Sequence, residues 1–506
     1  MDLLSVLTVK GVEFLSTLFV FMVGVAVLAV ALMFFLDSTQ SKDAIRHNYP
    51  VVGRFRELFT RLGEFFRQYF FALDREEMPF NRAERDWIYK SAKGKNNTQP
   101  FGSTRNLSLV GTPVFVNCAF PRLDEEASDP PPVTFGPYTE NPYHASSIVN
   151  VSAMSYGALS KPAVLALSRG AKLAGCYLNT GEGGLSPYHL DGGCDIVFQI
   201  GTAKYGVRGN NGELDEKKLA ELARRPEVKM IELKLAQGAK PGKGGILPAE
   251  KVTREVAKIR GIAHRKASIS PNRHPEIDNV EELLDFIECV RTVAKKPVGF
   301  KTVIGAYGWL DELCDAIERR GVEAAPDFIT VDGGDGGTGA APMSLMDNVG
   351  LPVKQALPMV VDILRRRGLK DRIKTIASGK LVTPAEVAWA YCAGADMVNT
   401  ARGFMFSIGC IQALRCHTNS CPTGITTHKK NLQGGLDPKL KSRRAASYVE
   451  KMRKDVAMIA HSCGAAHARD LKPFHVRIVQ GDGSSTPLDV LCEKMRPLSP
   501  EEYATT

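Results

Sequence analysis

The sequence predicts an α/β fold, a (β/α)8 TIM barrel over residues 148–430 with extensions at both ends. Short β-rich runs alternate there with helical segments, and glycine-rich or charged turns follow the ends of the runs. A doubly wound open sheet is the alternative, but no G-x-G-x-x-G motif follows an early strand. The eight predicted strands are 148–154, 177–180, 195–200, 230–235, 297–303, 328–332, 373–377 and 395–399, and helices are predicted at 161–173, 280–293, 353–367 and 384–393.

A candidate membrane span lies at residues 14–36, which are 23 residues without a charge. A run of this length can cross a bilayer as a helix. Its flanks do not suit a cleaved signal peptide, because Asp2 and Glu13 precede it and bulky residues end it. We therefore expect a single-pass protein of the cell membrane with residues 1–13 outside the cytoplasm. A buried core helix is the alternative interpretation.

Basic residues outnumber acidic ones just after this run, which predicts that the main domain is cytoplasmic. An amphipathic helix is predicted at 54–70, where apolar residues recur at helical spacing with arginines between them. Its aromatic face either lies on the membrane surface or docks on the main domain. Residues 37–147 are thus predicted to be an amphipathic helix and linker, and residues 431–506 a C-terminal helical extension with a helix at 442–460.

The composition is that of a folded protein, with 44% hydrophobic and 24% charged residues. A net charge of +10 is compatible with nucleic-acid binding, but no nucleic-acid-binding motif accompanies it, so we expect no such partner. The eleven cysteines are scattered through a long chain, which indicates a reducing compartment rather than a disulfide framework.

Two glycine turns after the last two predicted strands indicate a phosphate site, because backbone N–H groups converge there in a (β/α)8 barrel. A flavin also needs hydrogen bonds at its pyrimidine edge and a positive charge near N1, tasks that suit Gln199 and Lys301. The predicted phosphate contacts are Ser378, Gly379, Lys380, Ala401, Arg402 and Gly403, and further predicted cofactor contacts are Met154, Ser155, Asp335, Gly336, Gly337 and Thr338.

Three of the cysteines, Cys410, Cys416 and Cys421, follow the last strand in a C-x5-C-x4-C array. They are close enough in sequence to bind one inorganic cluster. Their spacing differs from the C-x2-C-x2-C run of ferredoxins, so spacing alone favours a cluster little more than it favours buried core thiols.

Five motifs occur in and just after the predicted barrel: MSYGALS, NTGEGG, LAQGAKPGKGG, DGGDGGTGAAP and GCIQALRCHTNSCPTGI. Together they resemble the FMN-binding synthase domain of the glutamate synthases. The resemblance covers residues 148–430, and the layout is similar to that of short, membrane-anchored glutamate-synthase-like proteins. It implies FMN in the barrel and a 3Fe–4S cluster on the three cysteines, since a three-iron cluster needs only three thiolates.

The resemblance also implies residue roles. Glu182 would move protons during imine formation, and Lys234 and Lys240 would act as catalytic cations at the substrate. Arg260, with Ser155 and Gln237, would bind a dicarboxylate, for which a guanidinium offers bidentate geometry.

The implied reaction is the reductive amination of 2-oxoglutarate to glutamate by reduced FMN, with electrons relayed through the cluster. Ile246 stands where the family commonly has a glutamine, so another amine or keto acid, as in an N-methylglutamate synthase, is one alternative. A non-catalytic membrane electron-transfer or scaffold subunit is another. The sequence shows no glutaminase domain or NAD(P)H fingerprint, so we expect a ferredoxin or membrane redox partner and a separate ammonia-supplying subunit.

Overall fold

The computed structural model describes residues 3–40 and 43–494, which form two compact units that divide after Ala83. Within these residues, eight parallel strands of the second unit close into a barrel, so the predicted fold is confirmed. Each strand overlaps one of the predicted runs. The strands are β1 (Val149–Val151), β2 (Leu178–Asn179), β3 (Ile196–Ile200), β4 (Val228–Lys234), β5 (Val298–Thr302), β6 (Phe328–Asp332), β7 (Lys374–Ser378) and β8 (Met397–Thr400).

The barrel closes where β8 pairs with β1, with Thr400 opposite Val151. Parallel pairing places the C-terminal ends of all the strands at one mouth. The register sets Lys234 of β4 directly beside Lys301 of β5. Two lysines from neighbouring strands therefore reach the same level of the mouth.

Helices surround the barrel because their apolar faces pack on the strands. The longer ones are Lys161–Ala174, Glu216–Ala223, Arg254–Arg260, Val280–Ala294, Gly308–Arg320, Val353–Arg366, Pro384–Cys392, Arg402–Ser407 and Pro438–Ser462; the short ones are Pro187–Leu190, Met343–Met346, Lys430–Gln433 and Leu488–Lys494; single 3-10 turns are Asp124–Glu126, Ala249–Lys251, Val322–Ala324, Ala468–Asp470 and Pro473–His475.

The first helix of the barrel shows how the sequence sets these elements. Helix Lys161–Ala174 begins at Ser160, whose hydroxyl accepts a hydrogen bond from the Ala163 N–H at 3.3 Å. It ends at Gly175, whose φ of 64° is the left-handed conformation that glycine adopts without strain. Helix Pro438–Ser462 packs against it so closely that a Cβ on Gly170 would lie 2.7 Å from the Cβ of Ala445.

A β-hairpin of strands Val133–Phe135 and Tyr143–Ala145 seals the N-terminal end of the barrel. The Phe135 ring is fully buried and meets the Phe328 ring edge-on, with centroids 5.7 Å apart. The hairpin joins a core that also contains Met230 of β4 and Met397 of β8. The hairpin therefore closes this end with apolar side chains, and the opposite, C-terminal end is available for a ligand site.

A buried ion cluster lies at the same sealed end. Asp327, which directly precedes β6, is fully buried and accepts a hydrogen bond from the Val298 N–H at 2.8 Å. Its carboxylate lies 2.9 Å from the nearest guanidinium nitrogen of Arg372 and 3.4 Å from that of Arg291. The two arginines also donate to backbone carbonyls of the turn before β6, including that of Ala325. The cluster therefore fastens the start of β6 to the preceding and following segments.

The remaining strands lie outside the barrel and were not predicted. Pro113–Phe115, Val476–Val479 and Ser485–Pro487 form a three-stranded antiparallel sheet, and Ile246–Leu247 pairs with Ser268–Ile269. Strands of two to four residues are too short to show an alternating pattern. The C-terminal extension is therefore part sheet as well as helical.

The first unit contains the long helix Leu3–Thr39, whose segment Val9–Thr39 is long and apolar enough to cross a membrane. It includes the predicted span at 14–36. Helix Ala44–Asn48 follows, and the predicted amphipathic helix is present as Val52–Phe66 with one π-helical turn, Arg67–Phe71. Helix Arg82–Ala92 leads into the second unit.

Candidate functional site

A solvent-open cavity lies at the C-terminal mouth of the barrel, with about 910 Å³ of space that includes open solvent. Most predicted site residues contribute to its wall. They are Met154, Ser155, Glu182, Gln199, Lys234, Gln237, Lys240, Arg260, Lys301, Gly337, Thr338, Ala401, Arg402 and Cys416, whereas Asp335, Gly336, Ser378, Gly379, Lys380, Gly403, Cys410 and Cys421 do not line the cavity.

An ion pair occupies the centre of the cavity. The Lys234 ammonium lies 2.8 Å from the Glu182 carboxylate and donates a second hydrogen bond to Gln237 Oε1 at 2.9 Å. Two glycines leave room for the carboxylate, because a Cβ on Gly201 or on Gly245 would collide with the Glu182 side chain. These glycines fix the position of Glu182 from both sides.

The cations around this pair control its protonation. Burial alone would raise the pKa of Glu182, but Lys234, Lys240 and Arg260 outweigh burial and lower it to about 2. Burial and the neighbouring Lys234 lower the pKa of Lys240 to about 8, against the opposing effect of Glu182. Near neutral pH the site therefore contains an ionised carboxylate and one lysine close to its titration point.

Arg260 forms the inner wall of the cavity and is 5% exposed. Its guanidinium stacks over the Tyr205 ring at 5.0 Å and donates to the Ser268 hydroxyl at 3.2 Å and to the Tyr156 carbonyl at 3.4 Å. Its Nε atom has no hydrogen-bond partner among the residues that the structure describes. The cation is thus held by these contacts while its Nε–H is unused.

Gln199 is oriented from below by a carboxylate that the sequence analysis missed. Glu232 is buried inside the barrel and accepts from the side-chain amide of Gln199 at 2.7 Å, from Asn179 at 2.8 Å and from the Thr330 hydroxyl at 2.6 Å. The signal was available, because a glutamate in the middle of a buried strand needs partners. This network fixes the amide of Gln199 at the cavity wall.

Lys301 differs from the other cations of the site. It lines the cavity, is 5% exposed and has no hydrogen-bond or ion-pair partner within residues 3–40 and 43–494. An unpaired buried ammonium is costly unless a ligand compensates it. Its position therefore suits a ligand that carries negative charge.

The two turns predicted to hold a phosphate are adjacent, since β7 and β8 pair with Ser378 opposite Asn399. Gly379 and Lys380 have positive φ values of 126° and 49°. The Ser378 hydroxyl, however, donates to Asp332 at 2.8 Å, so its proton is already used. Backbone N–H groups rather than this hydroxyl are thus the candidate phosphate donors.

Two charged residues predicted at the cofactor have partners within the protein. The Asp335 carboxylate accepts from the Val353 N–H at 3.1 Å, at the start of helix Val353–Arg366. Arg402 donates to the Thr338 carbonyl at 2.6 Å and lies 3.9 Å from the Cys416 sulfur. Arg402 therefore connects the glycine-rich loop after β6 with the cysteine loop.

The cysteine loop lies against the cavity wall, with Cys416 facing the cavity. Burial raises the pKa of Cys410. Burial acts in the same direction on Cys421, but hydrogen bonds from Thr423 and Thr426 outweigh it and lower the pKa of this thiol. Hydrogen bonds of this kind favour the thiolate, the form that binds metals.

No group of three His, Cys, Asp or Glu side chains in the described residues is arranged to hold a single metal ion.

Lys251 joins this loop to the barrel and was also missed by the sequence analysis. Its ammonium is buried and donates to the Ala158 carbonyl at 2.7 Å and to the Cys416 carbonyl at 3.1 Å. This buried lysine interacts electrostatically with Cys416 and Cys421, so its charge would compensate thiolates at those two positions. Its sequence position, after a short proline-containing loop, carries no such signal.

The chain matches a known protein family over most of its length. Residues 125–466 match the conserved region in glutamate synthase. The chain belongs to the glutamate synthase family. The match includes the whole barrel and the cysteine loop, so the predicted family resemblance is confirmed.

Individual relatives support the assignment. The glutamate synthase large subunit-like protein YerD of Bacillus subtilis (strain 168) is 40% identical over 94% of this chain and 98% of its own length. The archaeal glutamate synthase (NADPH) of Methanocaldococcus jannaschii is 34% identical over 64% of this chain and 60% of its own length. The second relative therefore shares the glutamate synthase region but has further sequence of its own.

Solved structures that resemble this family member include a mandelate oxidase variant with an FMN adduct. The TM-score is 0.43 at 16% identity, and the match covers 78% of this chain and 92% of that one. The barrel itself is evident from its own eight paired strands.

Proposed function

We propose that the chain is a glutamate-synthase-type flavoprotein oxidoreductase that reductively aminates 2-oxoglutarate to glutamate. The observation that carries this proposal is the Glu182–Lys234 ion pair at the centre of the cavity, with Lys240 and Arg260 around it. A negatively charged keto acid and an amine that must exchange protons need such a combination of fixed cations and a carboxylate.

The cavity fits FMN. Lys301 offers an unpaired cation, Gln199 an oriented amide, and the turns after β7 and β8 offer backbone N–H groups for the phosphate. When bound and reduced, FMN would supply the hydride for the imine carbon. The residues of the cavity would position that carbon.

The proton chemistry follows from the charges of the site. Glu182, with its pKa of about 2, is ionised at neutral pH and acts as an acceptor that orients ammonia or the imine nitrogen. Lys234 holds this carboxylate in place. Lys240, with its pKa of about 8, is able to release or take up a proton in the working range. Arg260 binds a substrate carboxylate.

The membrane and the electron supply complete the proposal. Segment Val9–Thr39 anchors the chain in the cell membrane and leaves the barrel in the cytoplasm. Cys410, Cys416 and Cys421 would hold a 3Fe–4S cluster, and the cluster would relay electrons from ferredoxin or a membrane redox partner. A separate subunit supplies ammonia. Efficient turnover with NADPH alone would contradict this electron route.

The deciding experiment uses the full chain, purified anaerobically in detergent. Its absorption spectrum and its flavin and iron content are measured first. The photoreduced protein is then mixed with 2-oxoglutarate and ammonium, and flavin reoxidation and glutamate formation are recorded together. The proposal would be contradicted if the protein contains no flavin after reconstitution, or if no pair of amine and keto acid reoxidises the reduced flavin.

The cluster assignment predicts a specific loss of iron. Cys416→Ala is expected to remove nearly all iron and the electron paramagnetic resonance signal of a three-iron cluster, because only two thiolates remain. Cys289→Ala is the matched control, since Cys289 lies on helix Val280–Ala294 outside the loop. Equal iron content in both variants would assign the three cysteines to the protein core.

A second candidate substrate is favoured by Ile246, whose side chain lines the cavity where an amide would be expected. An apolar contact there suits an N-alkyl amine, as in formation of N-methylglutamate.

Ile246→Gln is expected to shift the preference toward ammonia and 2-oxoglutarate by about tenfold, the value of one neutral hydrogen bond. Ile269→Gln is the control, because Ile269 is directly opposite in the paired strand but 66% exposed. The kcat/KM ratio for ammonia over methylamine measures the shift, and an unchanged ratio would remove Ile246 from the specificity argument.

Binding of the keto acid is expected to weaken as pH rises through about 8. The pKa of Lys240 is lowered to about 8, so its charge is complete below that pH and is lost above it. Dissociation constants for 2-oxoglutarate, measured by calorimetry, are therefore expected to rise about tenfold per pH unit above this point. Lys240→Arg keeps the charge and is expected to abolish the rise. The same rise in the variant would assign the titration to another group.

A further inference from the structure

We propose that the amphipathic helix Val52–Phe66 lies in the plane of an anionic membrane surface, held at the end of the span by the Asp37–Arg54 ion pair. The inference extends the proposed anchoring and rests on it. It assigns a lipid surface, rather than another protein, to the aromatic face of this helix.

The first argument is the clamp between the two helices. Asp37, at the end of helix Leu3–Thr39, is 2% exposed. Arg54 donates to both carboxylate oxygens, from its Nε atom and a terminal nitrogen, at 2.8 Å each. The Val51 N–H donates to the same carboxylate at 3.0 Å. A bidentate pair with a third donor fixes direction as well as distance.

The short helix Ala44–Asn48, which lies between the two helices in sequence, strengthens this restraint. The Asp43 carboxylate caps helix Ala44–Asn48 through the Ile45 N–H at 2.9 Å. The Gln40 carbonyl is 3.0 Å from the His47 ring. A Cβ on Gly53 would lie 3.0 Å from the Ile45 carbonyl, so the chain turns tightly before the second helix begins. The helix therefore starts at the depth where the span leaves the bilayer.

The second argument is the face that the helix leaves exposed. Phe55, Leu58, Phe59 and Leu62 recur at spacings of three and four residues and so share one face. Phe55 is 49% and Phe59 64% exposed. An apolar face of this kind at the level of the headgroups is typical of helices that lie in the membrane interface.

The third argument is charge. Between residues 42 and 67 the sequence has six lysines and arginines against three acidic residues, at 43, 57 and 64. One of the six, Arg54, is paired with Asp37, so five basic residues remain against these three. Basic residues next to a span are attracted by the anionic lipids of a cytoplasmic leaflet.

The test uses tryptophan substitutions in the full chain, reconstituted into vesicles that contain phosphatidylglycerol and brominated lipids. Phe55→Trp places the probe in the aromatic face. Thr60→Trp is the matched control on the opposite side of the same helix, and Phe19→Trp reports on the span. Emission is measured as the difference from the unsubstituted chain.

We expect shallow bromines to quench about half of the Phe55→Trp emission, since such helices sit near the headgroup boundary. The Thr60→Trp probe should stay accessible to aqueous iodide. Deep bromines should quench the Phe19→Trp probe. Adding Asp37→Asn to Phe55→Trp, or replacing phosphatidylglycerol by phosphatidylcholine, should reduce the shallow quenching.

Quenching of Phe19→Trp without quenching of Phe55→Trp would overturn the proposal while leaving the anchor intact. Equal quenching of Phe55→Trp and Thr60→Trp would also overturn it, because the helix would then not be oriented by its apolar face. An unquenched Phe19→Trp would remove the anchor itself, and the proposal with it.

Discussion

Replacing Gly245 with alanine is expected to lower kcat/KM for amination by about 100-fold, the cost typical of displacing a catalytic group by about an ångström. The added Cβ would collide with the Glu182 carboxylate, whose Cδ atom would be only 2.7 Å away. Gly201 also approaches the Glu182 side chain closely, which limits the positions to which the carboxylate can move. The collision therefore separates the carboxylate from the Lys234 ammonium.

The matched control is Gly339→Ala in the same cavity. No atom lies within 4 Å of a Cβ at Gly339, and its backbone conformation does not require glycine. Its kcat/KM should stay close to that of the parent. Steady-state assays with 2-oxoglutarate and ammonium, together with the flavin content of each variant, separate lost catalysis from lost cofactor. If Gly245→Ala retains full activity, Glu182 has no catalytic role in this geometry.

Asp327→Asn is expected to reduce the free energy of unfolding of the barrel by roughly 3–5 kcal/mol, the usual cost of removing one partner from a buried ion pair. The substitution leaves Arg291 and Arg372 buried without their shared counter-charge. It also weakens the hydrogen bond that joins Asp327 to the Val298 N–H at the start of β5.

Asp362→Asn provides the comparison for this prediction. Asp362 pairs with Arg366 at 2.9 Å on the outer face of a helix, where such pairs contribute about 0.5 kcal/mol or less. Urea unfolding of both variants in the same detergent, followed by intrinsic fluorescence, measures the difference. Equal midpoints would mean that the arginines are satisfied by backbone carbonyls alone.

The sequence predicted the barrel well because each strand combines an apolar run with a glycine or charged turn at its end. Such local patterns can be recognised in the sequence without knowledge of the tertiary contacts. The hairpin that contains Phe135 was assigned to a linker, because its strands have three residues each and gain their stability from packing on the barrel.

The sequence likewise revealed the site residues that lie inside family motifs and missed those that do not. Glu182, Lys234 and Lys240 were recognised because they sit inside motifs of a known family. Glu232 and Lys251 were not, since their importance depends on partners that are distant in the chain. The motif that contains Asp335 predicts a cofactor contact, but it does not reveal that the carboxylate accepts a hydrogen bond from the Val353 N–H at the start of a helix.

The plug formed by the Val133–Phe135 and Tyr143–Ala145 hairpin has a consequence for molecular traffic. In the part of the chain that the structure describes, apolar side chains close one end of the barrel and the cavity opens at the other. A ligand that binds in this cavity must therefore enter and leave through the same opening. For the proposed reaction, this would mean that the amino acid has to leave before the next keto acid can bind.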